Sequence, residues 1–221
     1  MTATGLHAEN LAFHYADGSF SLEIPRFDVS AGETVALSGH SGCGKSTFLR
    51  LLTGLLRPDA GDVRLAGQNL TALDDGTRRQ FRLGSIGLVF QDFALLDYLT
   101  VSENIMLPMR LGSLGVPDAE KTAHDLATRL DVRRYWDKLT GTLSQGERQR
   151  VAIIRALAHR PAFVFADEPT ASLDAARGTE VMRLLADYAR ANAAPLVVVT
   201  HDPSQHALFD RVIAFESLLS S

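Results

Sequence analysis

An α/β fold is predicted for this chain from three apolar, β-branched runs, each of which ends on glycine-rich or polar residues. Thr34-Val35-Ala36-Leu37-Ser38 leads into a glycine-rich turn, Phe163-Val164-Phe165-Ala166 into Asp167-Glu168, and Pro195-Leu196-Val197-Val198-Val199-Thr200 into His201-Asp202. Runs this short and this continuously apolar read as strands covered on both faces. Polar residues delivered to the C-terminal ends of such strands stand where ligands bind in an open α/β sheet.

Taken in order, Leu6 to Tyr15 alternates loosely, Asp17-Gly18-Ser19 is a turn signal, and Phe20 to Ile24 alternates strictly. The opening therefore reads as a β-hairpin. Tyr15 has two readings at this level, an ordinary aromatic of a β layer or a ring that stacks on a purine. The turn after Ser38 is Gly39-His40-Ser41-Gly42-Cys43-Gly44-Lys45-Ser46-Thr47, and Phe48-Leu49-Arg50-Leu51-Leu52 follows with helical spacing. Strand, G-x-x-x-x-G-K-[ST] turn and helix together form a phosphate-binding loop. Its glycines let backbone N–H groups approach phosphate oxygens, and the helix start adds unpaired donors and a positive dipole end. Lys45 is expected to reach the β- and γ-phosphates of a nucleoside triphosphate, with the Ser46 hydroxyl on Mg²⁺.

Gly54 to Gly61 breaks the helix, Asp62 to Gly67 returns as a strand, and Leu83 to Phe90 reads as a further buried strand ending at Gln91. From Thr100 to about Arg160 the pattern is helical, with Pro108 expected to bend or end the first helix and Val116-Pro117-Asp118 opening a second with Leu126 and Leu130 on one face. Trp136 and Leu139 close this stretch before Leu143-Ser144-Gln145-Gly146-Glu147-Arg148-Gln149-Arg150. Ser144 and Glu147 have capping-box spacing, and Gly146 in the first turn, where glycine weakens a helix, allows close approach of a bulky or anionic group. Asp167 and Glu168 are costly to bury together without a cation or proton between them. Beside a phosphate loop, Asp167 is the expected partner of Mg²⁺ and Glu168 the residue that polarises water. Asp174 is placed as a helix N-cap, His201 could hydrogen-bond a γ-phosphate, and Leu208 to Phe215 supplies a last helical turn and strand.

Composition narrows the rest. The 221 residues are 46% hydrophobic and 22% charged, enough for one globular domain with a built-in lobe. A net charge of -4 argues against a nucleic-acid binder. No apolar run approaches the ~20 residues that span a bilayer, and the first residues carry no secretory signal pattern. The single cysteine, Cys43, rules out an internal disulfide and fits a reducing compartment. Next to a helix N-terminus its thiol is expected to be acidified and open to alkylation.

With these motifs assembled, the chain resembles the nucleotide-binding ATPase subunit of ATP-binding-cassette (ABC) transporters over nearly its whole length. The family's phosphate loop matches Gly39 to Thr47, its glutamine loop Gln91, its signature Leu143 to Glu147, its magnesium strand and catalytic glutamate Phe163 to Glu168, its D-loop Ala171 to Asp174 and its switch histidine His201. The resemblance implies a P-loop, RecA-like core with an antiparallel β subdomain over 1–90 and 161–221, and an inserted α-helical subdomain over 91–160. It implies Tyr15 stacking on adenine and Ser46, Gln91 and Asp167 around Mg²⁺. Glu168, His201 and Lys45 would be catalytic, and Ser144 and Gly146 would contact the γ-phosphate from a second copy of the chain. It further implies a head-to-tail homodimer with two ATP molecules at its interface. An integral membrane permease subunit would hold the dimer on the cytoplasmic face of the membrane.

One departure stands out. The commonest family signature is Leu-Ser-Gly-Gly-Gln, and here it is Leu-Ser-Gln-Gly-Glu. An added carboxylate near a triphosphate weakens closure unless Arg148 or Arg150 neutralises it. Within the family, the run from Val89 to Pro108 looks most like the lipoprotein-releasing, macrolide-export and cell-division group. Phe93, Leu95, Leu96 and Tyr98 in that run are expected to be exposed anchors for a helix of the membrane subunit. A soluble ABC-type ATPase of DNA repair or translation is the competing reading, but the coiled coil or Cys cluster of the first and the second cassette of the other are missing. A small-molecule P-loop kinase leaves the Ser144 signature without a role.

Overall fold

The computed structural model describes residues 5–220. Two sheets form the frame. Strands β1 (Leu6–His14) and β2 (Ser21–Val29) make the expected antiparallel hairpin, with Leu6 opposite Val29 and Leu11 opposite Ile24. After β3 (Thr34–Ser38) and helix α1 (Lys45–Leu52), strand β4 (Ala60–Leu65) pairs on the other side of β1, and the short β5 (Gln68–Asn69) completes a four-stranded sheet in the order β2-β1-β4-β5.

The second sheet is parallel. Helix α2 (Asp75–Ser85) precedes β6 (Ile86–Val89), and helices α3 (Val101–Gly112), α4 (Ala119–Arg129) and α5 (Gln145–Leu157) fill the stretch before β7 (Phe163–Asp167). Helix α6 (Ala175–Ala191), β8 (Leu196–Val199) and β9 (Arg211–Ala214) follow, giving the order β6-β7-β8-β3-β9. Each run that had read as a doubly covered strand divides its side chains between two cores. Val35, Leu37, Phe163, Phe165, Val197 and Val199 face α1 and the antiparallel sheet. Ala36, Val164, Ala166, Leu196 and Val198 face α3, α5 and α6. Period-two alternation thus persists although both faces are apolar, because helices cover one side and a second sheet the other.

Three local expectations are corrected. Leu83, Gly84 and Ser85 end α2 instead of opening β6. Helix α2 buries no residue fully, and only the partly buried Phe81 packs it on the core. It is held by Asp74, which accepts the Thr77 N–H at 3.0 Å, and by Arg78 and Arg82, which donate to the Gly54 carbonyl at 3.1 and 3.0 Å. Of the two outcomes expected of Pro108, an end to the helix is ruled out, since α3 continues to Gly112. Phe93 and Leu95 are not exposed anchors, being 9% and 8% accessible and part of the helical core, while Tyr98 stays 73% exposed. Buried Arg155 fixes that loop by donating to the Phe93 carbonyl at 2.6 Å and to the Ala94 carbonyl. Both of those residues have positive φ. None of the helices among the described residues is long and apolar enough to cross a membrane.

Candidate functional site

The parallel sheet brings the C-terminal ends of β3, β6, β7 and β8 to one edge, and a cavity of about 630 Å³ opens there. Its walls are Gly39, Ser41, Gly42 and Gly44 to Thr47 from the loop after β3, Gln91 after β6, Asp167 and Glu168 at β7, and Val199 and His201 at β8, with Ser19, Phe20 and Ala171. Residues as far apart in sequence as Ser19 and His201 thereby line one volume.

The loop geometry follows from its glycines. At Gly44 φ is +106° and a Cβ would lie 2.3 Å from Cζ of Phe20, so both the backbone and the space require glycine. Helix α1 starts at the next residue, and no side chain caps it, leaving its first N–H groups available to an anion. Lys45, largely buried, donates from Nζ to the Gly39 and His40 carbonyls at 2.8 and 2.7 Å and lies 3.5 Å from Cys43 Sγ. Cys43 is itself buried at 8% accessibility, against the expectation of a thiol open to alkylation.

Asp167 ends β7 almost fully buried, and its Oδ1 has no hydrogen-bond partner. Burial pushes its pKa up, the Ser46 hydroxyl opposes that shift, and the neighbouring Glu168 charge adds to it. Ser46, Gln91 and Asp167 also line an adjoining cavity of about 380 Å³, so the three stand at the junction of two open spaces. A hydroxyl, an amide carbonyl and a carboxylate are hard oxygen donors of the kind Mg²⁺ takes, and the buried Oδ1 has no protein donor competing for it. The residues present fit that ion.

Glu168 has φ of +49°, a strained value for a non-glycine residue. Its N–H nevertheless continues the ladder to the Val199 carbonyl at 3.0 Å, and Oε2 lies 2.7 Å from Nδ1 of His201. A carboxylate held by an imidazole at the cavity wall can orient a water molecule. Sequence reasoning passed over Gln149, which is 1% accessible. It donates to the Glu168 carbonyl at 3.4 Å and accepts the Ser172 N–H at 3.3 Å, tying α5 to the turn after β7. Its position on the buried face of the helix, in step with Ala152 and Ile153, was the available signal.

Tyr15 does not line the cavity. Its hydroxyl lies 3.1 Å from Thr47 Oγ1 and its ring packs edge-on against Phe13. Phe20, across the hairpin end from Tyr15, stands on the wall instead. Ser144 and Gly146 are likewise outside the cavity of their own chain. Ser144 caps α5 through a complete capping box, in which Glu147 Oε2 accepts the Ser144 N–H at 2.8 Å and its hydroxyl at 2.7 Å. The Tyr135 hydroxyl, then Ser144, hold the Glu147 carboxyl down at about 2, with Arg150 contributing less. Of the two arginines expected to neutralise Glu147, Arg148 pairs instead with Asp97 at 2.6 Å, and Arg150 is the one whose charge acts on the carboxylate. At Gly146 a Cβ would come within 3.3 Å of the Ser172 carbonyl, so the helix start already lies close to the turn after β7.

The chain is similar to known proteins over most of its length. The model of the family described as ABC transporter matches residues 22–171. A lipoprotein-releasing system ATP-binding protein, LolD, of Xanthomonas oryzae pv. oryzae is 41% identical over 213 residues, covering 94% of this chain and 86% of that protein. An uncharacterized ABC transporter ATP-binding protein of Mycobacterium tuberculosis is 42% identical over 211 residues, covering 92% and 84%. Among solved structures, the dimeric ATP-binding cassette MJ0796 bound to ADP and Pi superposes with a TM-score of 0.86 at 33% identity, over 95% of this chain and 93% of that one.

Proposed function

The chain belongs to the ABC transporter family as an ATP-binding and ATP-hydrolysing subunit, and from that premise we propose that ATP occupies the cavity around Lys45, with Mg²⁺ held by Ser46, Gln91 and Asp167. The observation that carries this reading is the buried, unpartnered Oδ1 of Asp167 beside the Ser46 hydroxyl. The ion would supply charge neutralisation across the β- and γ-phosphates. Lys45 exchanges its carbonyl contacts at Gly39 and His40 for those phosphates. Glu168, aligned by His201, orients the attacking water, and Lys45 with His201 stabilises charge on the transferred phosphoryl group. The N–H groups of Ser41, Gly42 and Gly44 with Thr47, all on the cavity wall, bind the phosphates, and Phe20, on the same wall, takes the base-stacking place expected of Tyr15, which braces Thr47 from behind.

Ser144 and Gly146 act in trans. They lie on the lobe we assign to 91–160, between the two halves 1–90 and 161–221, and complete the γ-phosphate side of a second copy's site in a homodimer. The dimeric neighbour supports this arrangement. Binding then closes the dimer because the γ-phosphate is contacted from both sides, and hydrolysis removes the bridge.

The dimer would drive an integral membrane subunit, from the cytoplasmic face, in export or in extraction of lipid-anchored cargo. The similarity to the lipoprotein-releasing LolD proteins supports that direction of work, and a structural neighbour described as part of the CbiONQ transporter complex supports the pairing with other subunits. The docking place is an apolar groove lined by Leu83, Phe90, Leu107, Pro108 and Leu111, with Leu111 62% exposed. A short helix of the membrane subunit fits such a groove. The relatives' transporter names give no support to a DNA-repair or translation role.

Glu168→Gln tests the catalytic assignment. ATP turnover falls by a factor on the order of 10² or more, and an ATP-dependent dimer accumulates on size-exclusion chromatography. Turnover at the parent rate overturns the assignment.

A further inference from the structure

Behind the phosphate loop stands a second group of donors that the ATPase reading does not use. His40 Nε2, Cys43 Sγ and a Glu216 carboxylate oxygen lie within 4.8 Å of one another. None of the three residues lines the nucleotide cavity, so their side chains occupy the outer side of the loop while its backbone faces the cavity. They come from two places in the chain, the loop after β3 and the turn that follows β9.

The ring of His40 is oriented for coordination. Its Nδ1 lies 2.9 Å from the Ser41 carbonyl, an oxygen that can only accept, so Nδ1 carries the hydrogen. That leaves Nε2 facing Glu216 Oε1 at 3.6 Å, too far for a hydrogen bond. A histidine whose other nitrogen donates to a backbone carbonyl is the arrangement metal-ligating histidines use. Glu216 is also tied to the loop by the His40 N–H at 3.3 Å, and a Cβ on Gly39 would come within 2.8 Å of its Oε1. Imidazole, thiol and carboxylate form a mixed nitrogen, sulfur and oxygen set suited to a borderline-soft ion with a water in the fourth position.

We propose that His40, Cys43 and Glu216 form a binding site for a borderline-soft divalent cation, Zn²⁺ in particular, on the outer side of the phosphate loop. The ion enters from the exposed His40 and Glu216 side, displaces the thiol proton of Cys43 to solvent, and clasps the loop to the turn after β9. Lys45 Nζ, 3.5 Å from Sγ, then has a thiolate to donate to. The metal site and the Asp167 site are separate and differ in donor type, a mixed nitrogen, sulfur and oxygen set in one and oxygen alone in the other.

The test uses the full chain without nucleotide and Co²⁺ as a spectroscopic stand-in for Zn²⁺. One Co²⁺ binds per chain with the absorption of a thiolate-to-cobalt charge transfer, protons are released, Zn²⁺ displaces it, and excess Mg²⁺ does not. Cys43→Ser abolishes the absorption. Glu216→Gln, on an exposed side chain outside the nucleotide cavity, keeps the fold by thermal melting and weakens Co²⁺ by roughly tenfold or more. The proposal is overturned by a parent protein without the absorption, by displacement with Mg²⁺, or by equal affinity in Glu216→Gln and the parent.

Discussion

Replacing Glu147 with Gln separates the two roles of the signature carboxylate, its cap on α5 and its charge beside an incoming triphosphate. The carboxylate is held from 4.5 to about 2 by the Tyr135 hydroxyl and the Ser144 donors. A tenfold change in proton affinity corresponds to about 1.4 kcal/mol, which sets an upper bound near ~3 kcal/mol on what ionisation contributes. The side chain is partly open to solvent, and screening brings the expected figure to about 1 kcal/mol. Gln retains the capping-box geometry, so the loss should be confined to that charge. In a chain of this size about 1 kcal/mol moves the melting temperature by roughly 2–4 °C. The folded carboxyl is the more acidic, so its contribution is complete above the unfolded value of 4.5 and is lost as pH falls through about 2. The gap between parent and Glu147→Gln melting curves should therefore be constant from pH 7 to 5 and narrow below 4.5. ATP turnover of the variant should equal or exceed the parent's, because the γ-phosphate no longer approaches a fixed negative charge. A gap that ignores pH, or a sharp fall in turnover, refutes the assignment.

Two further substitutions probe the loop and the helical lobe. Gly44→Ala forces a side chain onto φ of +106° and into the Phe20 ring; strain of about 1–3 kcal/mol should weaken ATP binding roughly tenfold or more, read by equilibrium titration. Phe93→Asp and Leu111→Arg should part company. The first puts a charge into the helical core and lowers the yield and melting temperature of the isolated chain. The second lies on an exposed groove wall, leaves melting and isolated ATP turnover unchanged, and removes co-purification with the membrane subunit.

The phosphate loop, the acid pair and His201 were legible as a linear pattern because each depends on local chemistry. A lysine at a glycine-rich helix start and two acids closing an apolar strand carry their meaning within a few residues. The hairpin and the three buried strands were legible for the same reason, since side-chain periodicity is a local property. Helix α2 was not, because it buries nothing fully and is held by Arg78 and Arg82 reaching the Gly54 carbonyl, a partner more than twenty residues away. Nor were the places of Phe93 and Leu95. Alternation could not say which faced the helical core, because Phe93 and Ala94 adopt positive φ and Arg155 grips their carbonyls from α5.

By itself, the sequence determined that this chain carries a phosphate loop, an acid pair and a capped signature helix, and in which order. The tertiary structure decided which of those side chains share a cavity. It turned Phe20 inward and Tyr15 onto Thr47, pinned Glu168 to His201, and put Gln149 against the Glu168 carbonyl. It also set Cys43 and His40 behind the loop against Glu216, 173 and 176 positions away. The physical reason is the parallel sheet. Its register aligns strand ends that are remote in the chain, and no local pattern encodes which ends become neighbours.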